Sequence, residues 1–245
     1  MVADGFCPSC GMAAPLADYL ECVRPWNGLV LVDDTQSLGI FGHSPGPDAP
    51  YGRGGGGSFV RAGLRDDRLL MVSSLAKAFG APLAALAGSD AIVTAFERHS
   101  DTRVHCSPPS SAAIAAARVA LDVNGLCGDG LRLRLAQRVA RLRRRLLRLG
   151  MAGTMGLFPV QVLRFPEGIA PGAVHECLLS RGIQTVLLRD KGSGRISVIL
   201  TAGHTAEMVD CLVDALADCA KGARYYDKAI AGSRGAVQHE LRDRA

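Results

Sequence analysis

The sequence predicts an α/β protein, with a mostly parallel sheet in its first part and a small α+β domain after it. Two apolar runs, Leu29–Val32 and Leu69–Val72, end in Asp33-Asp34 and Ser73-Ser74. This pattern is typical of buried strands whose carboxyl ends face a ligand in open α/β sheets. After Gly153 the segments follow the order strand, helix, strand, strand, helix, which indicates a mostly antiparallel sheet.

In the first part, strands and helices are predicted to alternate around one long loop. Apolar residues at helical spacing predict a short helix over Pro15–Trp26. The glycine-rich segment 40–68 is a flexible active-site loop or a linker; no Gly-Lys-Ser/Thr follows its glycines, so a nucleotide P-loop is rejected. The remaining elements predicted here are a strand over Leu83–Gly88 and helices over Asp90–Arg98, Ser110–Leu121 and Leu131–Leu149.

The domain boundaries follow from these elements. Residues 1–130 form the later part of a large domain, 131–150 a connecting helix, 151–221 the small domain and 222–245 a tail. Arginines fill much of the connecting helix outside its leucine stripe. They indicate either a solvated face, which we favour, or a surface for membrane or RNA.

The composition fits a cytoplasmic globular protein. Of 245 residues, 48% are hydrophobic and 21% are charged. The net charge is +5, but the basic residues concentrate in one helix, so nucleic acid is not the first interpretation. We expect no membrane span and no signal peptide. Cys177, Cys211 and Cys219 lie in apolar helices, which predicts reduced, buried thiols.

Lys77 is the candidate nucleophile. It follows the strand ending at Ser74 and lies among small and aromatic residues, in the order Ser74-Leu75-Ala76-Lys77-Ala78-Phe79-Gly80. A lysine held in this way can form a Schiff base, although a plain surface lysine is an equal alternative from these residues alone. The strand end at Asp33 favours the nucleophile.

The two motifs together, Asp33-Asp34-Thr35-Gln36-Ser37-Leu38-Gly39 and Ser74 to Gly80, resemble the pyridoxal-phosphate-dependent α-oxoamine synthases. This is the family of 8-amino-7-oxononanoate synthase and 2-amino-3-ketobutyrate ligase, within the class I/II aminotransferase fold (fold type I). The likeness extends from about residue 2 to about residue 220 and keeps the order of the motifs. It implies an enzyme that uses pyridoxal 5'-phosphate, an amino-acid substrate and an acyl-CoA, or an aminotransferase with the same half-site.

The resemblance also implies residue roles. Asp33 would keep the pyridine nitrogen protonated, and Lys77 would hold the cofactor as a Schiff base and then shuttle the substrate's α-proton. Ser74 would hydrogen-bond the phosphate, and Gln36 occupies the position of a family histidine near the phenolic oxygen. Asp34 is expected to serve in a turn or in packing. No metal is expected.

Two departures from the family pattern matter. Where the family has Arg-x-Arg for the substrate carboxylate, this chain has Arg195-Ile196-Ser197, so weak carboxylate binding or substitution by Arg195 is expected. Family members also carry a long segment before the part that matches Asp4. We therefore expect a truncated chain that binds the cofactor poorly alone and associates, as a homodimer or with a partner that supplies this segment. A non-catalytic subunit is the alternative function.

Cys7-Pro8-Ser9-Cys10 has the CxxC spacing of zinc and redox sites. No second pair of ligands lies at zinc spacing, and a redox pair would be expected to open a helix in a thioredoxin-like unit. Two ordinary loop cysteines are the favoured interpretation.

Overall fold

The computed structural model describes residues 1–189 and 194–223 of the chain. They belong to two compact units, Met1–Arg134 and the part that begins at Leu135. No helix in the described ranges is both long enough and apolar enough to cross a membrane. The predicted tail, 222–245, lies outside the described residues except for 222 and 223.

The first unit contains one main sheet and a short hairpin. Its strands are β1 (Val2–Asp4), β2 (Phe6–Cys7), β3 (Met12–Ala13), β4 (Val30–Asp33), β5 (Leu69–Ser74) and β6 (Ala84–Ala87). Its helices are α1 (Leu16–Val23), followed by a 3₁₀ turn over Arg24–Trp26, and then α2 (Gly57–Ala62), α3 (Asp90–His99), α4 (Asp101–Val104) and the start of α5 (Ser111–Arg148).

The main sheet has the order β1-β4-β5-β6. β1, β4 and β5 are parallel, as predicted, and β6 is antiparallel to β5. The connection from Ser74 to Ala84 explains the exception, because a parallel return needs a crossover of about a dozen residues or more. The helix prediction over Pro15–Trp26 is also confirmed: its apolar face, at Leu16 and Leu20, packs into one buried cluster with strand residues such as Val30.

Segment 40–68 is more ordered than the loop or linker that its glycines predicted. It contains the helix α2, and its chain folds back so that Gly42 N–H donates to the Tyr51 carbonyl at 2.8 Å. Three aromatic rings pack there: Phe41 lies 5.0 Å from Phe6 and 6.0 Å from Tyr51, between ring centroids. The Arg61 guanidinium stacks 4.6 Å above Phe41. Aromatic packing and backbone hydrogen bonds therefore hold the 40–68 segment in place.

α5 is a single helix of 38 residues, so the prediction of two helices, Ser110–Leu121 and Leu131–Leu149, was wrong. The helix continues through the glycines at 125, 128 and 130, although each costs a helix about 1 kcal/mol relative to alanine. Side-chain contacts hold this stretch: Asn124 Nδ2 donates to the Gly54 carbonyl at 3.1 Å, and Asp129 Oδ1 accepts from Gly54 N–H at 2.9 Å. The helix is thus fixed by the 40–68 segment.

The second unit has the predicted order of strands and helices. The C-terminal part of α5 is followed by β7 (Val160–Leu163), α6 (Pro171–Ser180), β8 (Val186–Arg189), β9 (Gly194–Ile199) and α7, residues 206–223. Its sheet has the order β7-β9-β8, and both pairings are antiparallel. This confirms the predicted α+β character of the region.

The arginines of α5 are less solvated than the favoured interpretation assumed. Arg141 and Arg145 both pair with Asp210 of α7, with Arg145 Nη1 2.7 Å from Asp210 Oδ1. Hydrogen bonds from Arg141 and then Arg145 hold the pKa of Asp210 well below its usual range. Arg138 Nε donates to the His204 carbonyl at 3.0 Å. These arginines join helices within one unit.

The expectation of reduced, buried thiols in this unit was wrong. Cys177 of α6 and Cys219 of α7 form a disulfide, with Cα atoms 5.8 Å apart, and Cys211 is exposed. The physical reason is that the two helices bring the cysteines to positions that face each other within the reach of a disulfide. Sequence position alone did not indicate this pairing.

Asp34 is the buried carboxylate of the first unit, with no exposed surface, in agreement with the turn or packing role expected for it. Ser58 donates to it from both N–H and Oγ. Gly5 and Gly57 leave the space that it fills, because a Cβ on either would collide with its oxygens. Burial raises the pKa of Asp34, against the opposing effect of the Ser58 hydrogen bonds.

We predict that two glycines of α5 respond in opposite ways to alanine. Gly125 is exposed and faces open space, so Gly125→Ala should raise the free energy of unfolding by about 0.5–1 kcal/mol. At Gly128 the added Cβ would lie 2.5 Å from Asn124 Oδ1 and 2.9 Å from Arg132 Nη2, so this gain should be lost or reversed. Urea unfolding of both variants measures the change in the free energy of unfolding. Equal gains in the two variants would contradict the close contacts described at Gly128.

We also predict a pH-dependent role for Asp34. Because its pKa is raised in the folded state, stability relative to Asp34→Asn should be greatest below the usual aspartate pKa. It should fall as the pH rises through the raised value, where folding must bury a charge. Urea unfolding between acid and neutral pH measures this difference, with the exposed neighbour variant Asp33→Asn as the control. A difference that grows with pH would contradict the prediction.

Candidate active site

The candidate site lies where two parallel strands end side by side. Asp33 closes β4 and is paired in register with Val72 of β5. β5 then continues to Ser74, and Lys77 follows in the next turn. Because both strands run in the same direction, the sheet brings their carboxyl ends, and so Asp33 and the lysine turn, to the same edge. Asp33 and Lys77 are both exposed there.

Thr35 joins the two strand ends. Its backbone N–H donates to Asp33 Oδ1 at 2.9 Å, and its Oγ1 accepts from the Ser74 N–H at 2.9 Å. The carboxylate of one motif and the backbone of the other are thus fixed to one residue. The sequence analysis did not identify Thr35, although an aspartate at a strand end commonly accepts a hydrogen bond from the backbone N–H two residues on.

The turn that carries Lys77, residues 75–78, is held by backbone hydrogen bonds and buried apolar side chains, while Lys77 itself is exposed. Leu75 N–H donates to the Leu83 carbonyl at 2.8 Å, and Ala81 N–H donates to the Leu75 carbonyl at 3.3 Å. Leu75 and Ala81 are buried in a small apolar cluster. Lys77 is exposed, as are Ala76 and Ala78, so these alanines do not enclose the lysine as the sequence suggested, and its Nζ is open to a ligand.

Ser74 and Gln36 have different surroundings. Ser74 is half-buried, and its Oγ accepts a hydrogen bond from Ala76 N–H at 3.3 Å. The hydroxyl hydrogen remains available to an acceptor such as a phosphate oxygen. Gln36 is half-buried in the turn after β4.

A second layer supports the lysine turn through Gly39. Gly39 has φ +81°, and a Cβ there would lie 2.6 Å from the Cβ of Ala78, so only glycine permits this approach. Its carbonyl accepts from Arg132 Nη1 at 3.1 Å. Arg132 is 5% exposed and also pairs with Asp129 at 2.6 Å. The guanidinium of Arg132 lowers the pKa of Asp129.

The predicted carboxylate-binding region lies in the second unit. Ser197, at the position where the family pattern has its second arginine, is 3% exposed in the central strand β9. Arg195 is exposed on the same strand. His204 closes the turn before α7, where its Nδ1 accepts from Thr201 N–H at 2.9 Å.

No group of three metal-ligating side chains that could hold a metal ion occurs in the described ranges. Cys7 and Cys10 are free thiols in the hairpin formed by β2 and β3.

Curated proteins with a similar sequence include 8-amino-7-oxononanoate synthases. The chain is 28% identical over 223 residues to the 8-amino-7-oxononanoate synthase of Alcanivorax borkumensis, covering 89% of this chain and 55% of that protein. The chain spans about half the length of the curated relatives it matches.

Solved structures agree on the fold. Serine palmitoyltransferase of Sphingomonas wittichii superposes with a TM-score of 0.78 at 19% identity, covering 91% of this chain and 54% of that one. A structure of SPT with a PLP internal aldimine gives 0.77 at 18% identity, covering 91% and 55%. The predicted fold class is therefore confirmed. The profile of Aminotransferase class I and II matches residues 2–216, and the chain belongs to the class I and II aminotransferase family.

Proposed function

We propose that this chain forms the lysine-bearing part of a pyridoxal-phosphate-dependent transferase. The reaction that the similar proteins favour is acyl transfer from an acyl-CoA to an amino acid, as in the α-oxoamine synthases. The single observation behind this is the Thr35 bridge, which fixes the Asp33 carboxylate and the turn that holds Lys77 at one sheet edge. A strand-end carboxylate beside an accessible lysine is the donor set that this cofactor needs.

The available residues fit the cofactor by their chemistry. Asp33 would hold a proton on the ring nitrogen, the Ser74 hydroxyl would donate to the phosphate, and Gln36 would donate to the phenolic oxygen. Lys77 would provide the covalent attachment. When bound, pyridoxal phosphate supplies an electron sink for a carbanion.

The protein side chains then bind the substrate and move its proton. Lys77 Nζ would take the proton from the α-carbon of the amino acid, as a general base. For the substrate carboxylate, the family pattern implies Arg195. Aminotransfer with the same residues is the second candidate, favoured by the family profile. Transfer of the amino group to an added α-keto acid, without any acyl-CoA, would distinguish it from acyl transfer.

A cytoplasmic location, which the composition indicates, is also part of the proposal. So is association, either as a homodimer or with a partner chain, which the resemblance implies. Light scattering on the purified chain, with and without pyridoxal phosphate, tests association. A non-catalytic role remains the competing function, and it predicts association without any reaction at Lys77.

We predict that Lys77 is the residue that pyridoxal phosphate labels. After borohydride reduction, mass spectrometry should find the pyridoxyl group on the peptide that contains Lys77, because its Nζ is exposed at the edge beside Asp33. Lys77→Ala should lose the label. Lys221→Ala, at an exposed lysine of α7, should keep it. Labelling that is spread equally over several lysines would contradict the assignment.

We predict that Arg195 binds the substrate carboxylate. Loss of a hydrogen bond to a charged group costs about 1.5–3 kcal/mol, so Arg195→Gln should raise the Kd for alanine or serine roughly 10- to 100-fold. Titration of the cofactor-loaded protein, followed by its visible absorbance, measures this Kd. Arg189→Gln, at an exposed arginine of the neighbouring strand, is the matched control. Equal effects of the two substitutions would exclude a specific contact.

A further inference from the structure

Two thiols lie together in the hairpin that connects β1 to α1. β2 and β3 are paired with Cys7 opposite Met12, and residues 8–11 form the turn between them. Gly11, at φ +75°, donates its N–H to the Cys7 carbonyl at 2.8 Å and closes the turn. Residues three apart in a tight turn have Cα atoms within about 7 Å, close to the 4.4–6.8 Å that disulfides span.

The turn also sets the environment of the sulfur atoms. The Cys10 thiol donates to the Cys7 carbonyl at 3.8 Å, and Cys7 Sγ lies 3.2 Å from Ser9 Oγ. Hydrogen bonds from Cys10 and then Ser9 lower the pKa of the Cys7 thiol to about 7. A larger fraction of Cys7 than of an ordinary cysteine is then thiolate at neutral pH. Cys10 is exposed and Cys7 half-buried.

We propose that Cys7 and Cys10 form a dithiol site that reacts with low-molecular-weight disulfides such as glutathione disulfide. This site is independent of the function proposed above. The sequence favoured two ordinary loop cysteines because no helix follows the motif in the thioredoxin manner. The turn geometry provides instead what such a helix would: two thiols held together, one of them activated.

The exchange needs no reagent beyond the disulfide itself. The Cys7 thiolate attacks one sulfur of glutathione disulfide, the S–S bond breaks, and one glutathione thiolate leaves and is protonated. Cys10 then loses its proton to water and attacks Cys7 Sγ, which releases the second glutathione. The two cysteines are oxidised to a disulfide and the reagent is reduced to two thiols, so atoms and electrons balance.

The test uses the full chain in a Cys22→Ser background, because no lysine or arginine separates residues 7, 10 and 22 and they share one tryptic peptide. The protein is incubated at pH 7 with glutathione disulfide and trapped with N-ethylmaleimide, and its peptides are analysed by mass. We expect an internal disulfide between Cys7 and Cys10. Cys127, an exposed cysteine of α5, should carry only glutathione or maleimide.

Rates and variants make the test specific. The larger thiolate fraction, reduced by the lower nucleophilicity of a more acidic thiol, predicts that Cys7 reacts about threefold faster than an ordinary exposed thiol. Cys10→Ser should trap glutathione on Cys7, and Ser9→Ala should slow the reaction. Separate glutathione adducts on both cysteines of the wild-type loop, or a Cys7 rate equal to that of Cys127, would overturn the proposal.

Discussion

The structure of the first unit depends on the burial of one carboxylate. Asp34 follows β4 directly, and Ser58 of α2 donates to both of its oxygens. A buried carboxylate is tolerated only where hydrogen bonds replace its water, and Gly5 and Gly57 allow the backbone to close around it. This one contact connects β1, β4 and α2, and it fixes the turn from which Thr35 and Gly39 reach the lysine motif.

Two sets of contacts connect the turn after β4 to the turn that carries Lys77. Thr35 accepts a hydrogen bond from Ser74, at the end of β5, and Gly39 presses against Ala78 while Arg132 holds its carbonyl. The exposed lysine therefore stands on a turn whose backbone is supported on both sides. A side chain can be exposed to solvent and still be positioned when contacts fix the backbone of the turn that carries it.

The sequence predicted those features that depend on neighbouring residues. The strand ends at Asp33 and Ser74, the apolar face of α1 and the element order after Gly153 all follow from local periodicity. The sequence did not predict the continuity of α5, because contacts 70 and 75 residues apart, from Asn124 and Asp129 to Gly54, stabilise it against its glycines. The Cys177–Cys219 disulfide was not predicted for the same reason, because its two cysteines are 42 residues apart in the sequence.

The same distinction explains why the roles of the site residues are proposed from chemistry and not from motif alone. A lysine among small residues is common, and the exposure of Ala76 and Ala78 shows that composition did not define its surroundings. What separates Lys77 from the exposed Lys221 of α7 is a non-local fact: the parallel pairing of β4 with β5 brings a carboxylate to the same edge. The role proposed for Lys77 therefore rests on the parallel pairing of β4 with β5.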